Sequence, residues 1–138
     1  MVTPPQLRSK RSRRSPSRCG ATTVEFAIVV PIIFAMFLGT VEMTRLNFIR
    51  HSAANAAYEG ARKSIVPGST SAEASAEALR LMNAVGVGNS VTATVTSTST
   101  TMTVTVSVPV NKNAWGVGKF SSGMIVTQSC TLTRESPR

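Results

Sequence analysis

The side chains able to do acid-base, nucleophilic or metal chemistry are few: six acids, all of them glutamates, one histidine, His51, and two cysteines, Cys19 and Cys130. General acid-base catalysis needs ionisable groups gathered at one place, and a structural zinc needs a cluster of Cys, His or carboxylate ligands. No pair of the acids has a spacing that serves acid-base work. His51 stands among Arg50, Ser52 and Asn55, the setting of a solvated surface residue, with no ligand cluster around it. The expectation is no catalytic residue, no metal site, no cofactor and no small-molecule substrate, so the protein is not expected to be an enzyme. One acid is set apart. Glu25 is the single charge in the apolar run from Val24 to Val41. An ionisable group at mid-membrane costs about 2.5 to 3.5 kcal/mol and normally marks a function. Glu25 therefore requires either a partner or access to the headgroups by snorkelling.

The elements that position Glu25 follow from the charge pattern. The 138 residues carry a net charge of +9, which by itself invites a nucleic-acid reading. The charge is polarised, however: Arg8, Lys10, Arg11, Arg13, Arg14 and Arg18 precede Gly20 with no acid among them. A basic stretch mixed with Ser and Pro buries too little apolar surface to offset its ordering entropy and reads as a tail. The 18 residues from Val24 to Val41 span roughly 27 Å as a helix, near the lower limit for crossing a bilayer core of about 30 Å. Basic residues flanking a span stay cytoplasmic, which places the N-terminus inside and everything after about Met43 outside. No nucleic-acid partner is expected, because the basic charge is concentrated in this tail and everything from Ala21 onward carries only +3 of the +9. An ordinary secretory signal would end in a small-residue cleavage site after the apolar run, and none follows; Cys19 precedes the run, which disfavours lipoprotein processing.

The junction Arg18-Cys19-Gly20-Ala21-Thr22-Thr23-Val24-Glu25-Phe26 resembles the leader boundary of type IV prepilins: a basic leader ending in glycine, then a glutamate at the fifth position of the chain that follows. The wider stretch GATTVEFAIVVPIIFAMFLGTVEMTRL, with NAAYEGAR at Asn55 to Arg62, is similar to the TadE-like proteins of tight-adherence (Tad, or Flp) pilus systems. That resemblance implies cleavage between Gly20 and Ala21 by a prepilin peptidase, N-methylation of the new terminus, and a Glu25 carboxylate facing the Ala21 amine of a neighbouring subunit. In subunit assembly, Glu25 would then register the subunits, and the apolar face from Phe26 to Val41 would pack them laterally. It further implies partners among other pilin-like subunits and the pilus assembly platform. Pro31, inside the apolar run, removes one helical hydrogen bond and is expected to kink the helix.

Beyond the span, Leu46, Ile49, Ala53, Ala56, Ala57 and Ala61 recur at helical spacing, predicting an amphipathic continuation that Pro67 and Gly68 end. Thr70 and Glu73 have capping-box spacing and open a second helix from Ser71 to about Val85. Three runs of alternating apolar and polar residues follow: Val91 to Thr96, Met102 to Val110, and Met124 to Leu132 with Gln128 interposed. The expected fold is α+β and pilin-like, with a long N-terminal membrane-spanning helix that continues outside, a short second helix and a three-stranded antiparallel sheet whose second face is threonine-rich and wet. Its parts are a cleavable leader (1–20), a membrane and assembly helix (21–43), its outer continuation (44–66) and a small outer domain (67–138). Cys130 reads as a small apolar residue on the inner sheet face, with an intermolecular bridge as the alternative. Trp115 and Phe120 lie in a glycine-rich loop that either contacts a partner or caps the core.

The composite reading is a minor pilin or pseudopilin of a Tad-type pilus, anchored by one span in the cytoplasmic membrane and displayed outside. Two alternatives remain open at this point: an uncleaved anchor carrying an outer binding domain, and a type II secretion pseudopilin.

Overall fold

The computed structural model describes residues 19–113 and 123–134. The leader up to residue 18 and the loop holding Trp115 and Phe120 lie outside these. The described chain forms two α-helices and three strands in the order α1 (Cys19–Ser64), α2 (Ser71–Ala84), β1 (Thr92–Ser97), β2 (Thr101–Pro109) and β3 (Ile125–Thr133). This is the α+β arrangement expected from the periodicities. The chain divides at Met36 into two units.

In the first unit α1 runs without interruption through Pro31. The missing amide of that proline leaves the Ala27 carbonyl without its usual helical donor. Every side chain from Ala21 to Met36 is exposed except the half-buried Val30.

In the second unit, residues 37–138, α1 has an inner face. Ile49, Ala53, Ala56, Ala57 and Ala61 are fully buried, and Leu46 packs partly against them. The alanine stripe therefore serves the protein's own core. The helix stops where Pro67 cannot continue it and Gly68 takes a positive φ of 87°. At the end of the helix the Ser64 hydroxyl, 1 % exposed, donates to the Ala61 carbonyl at 2.6 Å, so its burial leaves no polar group unpaired.

The α2 start is the expected capping box: Glu73 N–H donates to Thr70 Oγ1, and Thr70 N–H donates to Glu73 Oε2, both at 3.3 Å. Its Ala74, Ala78 and Met82, four residues apart, are all buried.

The sheet is antiparallel in the order β1-β2-β3. Met102, Val104, Val106 and Val108 of β2 point into the core, where Val104 faces Val95 on one side and Cys130 on the other. The opposite face is polar, and hydroxyl pairs cross it at Thr103 to Thr131 (2.8 Å) and Ser107 to Thr127 (3.3 Å). Two ends of the alternating runs behave differently from their pattern. β2 finishes at Pro109, and Val110 opens a 3-10 turn (Val110–Asn113) while remaining fully buried. Met124 precedes β3 and is 49 % exposed, although its carbonyl accepts from Val110 N–H at 3.0 Å.

A clasp holds that turn to the β1 approach. The Asn113 side chain, 7 % exposed, accepts from Asn89 N–H at 3.1 Å and donates to the carbonyls of Asn89 and Pro109 at 3.0 Å each. Replacing Asn113 by alanine strands these groups in a partly buried place, which costs about 1 to 3 kcal/mol. Asn113→Ala is accordingly expected to unfold at a lower urea midpoint with an unchanged slope; an unchanged midpoint would show that water replaces the clasp.

Candidate functional site

Gly20 and Ala21 occupy the first turn of α1, where the first four backbone N–H groups have no partner within the helix and the turn opens easily. Gly20 is exposed, and a methyl group added to it would meet nothing within 4 Å among the described residues. The fold therefore places no steric demand on this glycine. Ala21 and Glu25 are four residues apart and share one helix face, so the nitrogen of Ala21 and the carboxylate of Glu25 lie about one turn, roughly 6 Å, apart along the axis. Glu25 is exposed and makes no ion pair among the described residues. Its neighbours Val24 and Phe26 are exposed too, Phe26 at 68 %. Pro31 follows six residues after Glu25 on the same element.

The surroundings of this site are apolar and uncovered. The helix from Gly20 contains an 18-residue window of mean hydropathy 2.3, none of it buried within the protein. By length and composition it can cross a membrane, and an apolar surface of this extent needs lipid or another helix against it. The arrangement has no acid-base pair to offer chemistry. It offers a peptide bond in the first helical turn and an exposed carboxylate.

Other candidates resolve more simply. His51 is exposed, and Cys130 is a free, half-buried thiol on the inner sheet face opposite Val104, as read from the alternation. On α2, Arg80 donates from Nε and Nη2 to Glu77 at 2.9 and 2.6 Å and holds that carboxyl below its ordinary range. Both side chains face solvent, where such pairs contribute little to stability.

Two features carry no local signal in the sequence. Gly60 sits where α1 meets α2 and the sheet: a Cβ there would lie 3.0 Å from the Ala74 carbonyl oxygen, 3.2 Å from Ala78 Cβ and 3.3 Å from a methyl of Val104. The second is a groove of about 400 Å³ in which Leu38, Val41, Arg45 and Phe48 of α1 face Val85 and Val87, the residues flanking Gly86 after α2. Gly86 and Gly88 mark a turn in the sequence, but a turn signal does not say what the turn packs against.

The model of the TadE-like protein family matches residues 20–62. No curated protein and no solved structure matches the chain. The TadE-like segment begins at Gly20 and takes in Ala21, Glu25, Phe26, Pro31 and Gly60.

Proposed function

We propose that this protein is a minor pilin or pseudopilin of a Tad-type pilus, cut between Gly20 and Ala21 by a prepilin peptidase and then passed to the assembly platform. The observation that carries this reading is the coincidence, at one place, of the TadE-like match with an uncovered apolar helix and a lone glutamate one turn past Ala21. In the membrane the apolar side chains from Val24 to Val41 are solvated by lipid; in a filament, neighbouring helices take over. Hydrolysis after Gly20 creates an ammonium at Ala21, and a Glu25 carboxylate from a second subunit neutralises it. Each charge then has a partner in a low-dielectric setting, where an unpaired one is costly. The six basic residues before Gly20 keep the N-terminus cytoplasmic, so residues 44–138 are displayed outside.

Intact mass and N-terminal sequencing of the protein from its native membrane test the processing step. A chain beginning at Ala21 supports it; a chain that retains residues 1–20 would make the protein an uncleaved anchor with an outer binding domain. Assembly is tested separately with Glu25→Gln, which removes the charge and keeps the shape. This variant is expected to be trimmed normally and yet to co-isolate with pilus-fraction subunits at least about tenfold less, the loss of roughly 1.4 kcal/mol of pairing. Normal co-isolation would place the registration elsewhere.

A further inference from the structure

We infer that the groove between α1 and the turn after α2 seats a phospholipid of the outer leaflet, so that the outer domain rests on the membrane surface. The inference rests on the membrane reading of α1 and adds a second lipid contact to it. Leu38 and Val41 are the last part of the apolar span and at the same time the inner wall of the groove. Lipid that surrounds the span is therefore continuous with the groove, and no other occupant needs to be brought to it. The opposite wall is Val85, 44 % exposed although apolar, with the buried Val87 behind it. Gly86, at φ 75°, turns the chain between them.

Height along α1 matches the two parts of a lipid. If Val41 marks the hydrocarbon boundary, Arg45 stands four residues or about 6 Å farther out, within the headgroup layer of roughly 5 to 8 Å. Its guanidinium is at the level of phosphates, with the acyl-chain level at Leu38 and Val41. Glu42 lies in the same groove and balances Arg45 in charge, which matches a zwitterionic headgroup and not an anionic one. Phe48, half exposed, closes the outer rim, a position that suits an aromatic ring at an interface.

The test uses the full chain in vesicles of zwitterionic phospholipid, with both native cysteines replaced by serine (Cys19→Ser, Cys130→Ser) and an environment-sensitive fluorophore attached at one introduced cysteine. Val85→Cys and Phe48→Cys report the two rims of the groove, Met36→Cys reports the span and Thr94→Cys reports the wet sheet face. Nitroxide groups placed near the top of the lipid acyl chains are expected to quench the probes at positions 85 and 48 roughly twofold or more beyond the probe at position 94, as for side chains sunk about 5 to 10 Å into the interface. Quenching at position 36 alone would overturn the groove proposal while leaving the membrane span intact. Absence of quenching at position 36 as well would sink the membrane reading together with the proposal. Quenching at 85 and 48 that is absent at high protein density and appears only when the protein is diluted to one copy per vesicle would assign the groove to a second copy, overturning the lipid assignment.

Discussion

A Gly20→Val chain recovered from its native membrane is expected to keep residues 1–20, while the wild type begins at Ala21. Steric freedom at Gly20 makes this prediction clean. Gly20 is exposed and a β-carbon there meets nothing within 4 Å among the described residues, so valine has open space to enter. Any loss of processing then belongs to the proposed peptidase, which would have to admit an opened backbone at the scissile bond, where the missing side chain of glycine allows close approach. A branched side chain blocking that approach should lower the trimmed fraction at least about tenfold, the scale on which an enzyme pocket rejects added bulk. The variant should still insert, since its span and basic flank are unchanged, and its thermal transition should match the wild type's. Normal trimming of Gly20→Val would remove Gly20 from the recognition site. Together with Glu25→Gln, the pair separates cutting from assembly: one variant is expected to keep the leader, the other to lose it and then fail to assemble.

Most of the fold was legible because the elements announce themselves locally. Ile49, Ala53, Ala56, Ala57 and Ala61 lie at helical spacing and are all fully buried. Thr70 and Glu73 form the capping box their spacing implies. The alternating valines of β2 give its inner face. Strand ends were less legible. The pattern of β2 carries on to Val110, whose N–H still donates to the Met124 carbonyl, but the chain turns there into a 3-10 helix while Val110 stays in the core. The Asn113–Asn89 clasp and the groove at Val85 and Val87 were not legible at all. Each joins residues more than twenty positions apart through contacts that have no period. The candidate site shows the reverse: Gly20, Ala21, Glu25 and Pro31 stand close together in sequence on one helix, so their spacing along it could be read directly. What covers that helix, lipid or a neighbour, is a property of its surroundings and leaves no trace in the spacing.

Gly60→Leu is expected to be strongly destabilising, lowering stability by about 3 kcal/mol, the upper end of what overpacking costs. The TadE-like segment does two jobs along one helix: its first half is uncovered, and its second half carries the core on which α2 and the sheet are laid. Gly60 is one place where that second half lies against α2. The first obstacle to a side chain is a backbone carbonyl, that of Ala74 at 3.0 Å, which cannot rotate away as the end of a flexible side chain would. Ala78 Cβ at 3.2 Å and Val104 at 3.3 Å leave no room beyond it for the remaining carbons of leucine. Alanine at the same position is a closer contest. Its methyl needs α2 to yield by a few tenths of an ångström, while replacing a mid-helix glycine gains roughly 0.5 to 1 kcal/mol. The two terms nearly cancel, so Gly60→Ala should unfold within a few degrees of the wild type in detergent, whereas Gly60→Leu should melt well over 10 °C lower at about 4 °C or more per kcal/mol. Equal melting of all three proteins would mean that α2 moves freely on α1, and the glycine would then have no packing role in joining α1 to α2 and the sheet.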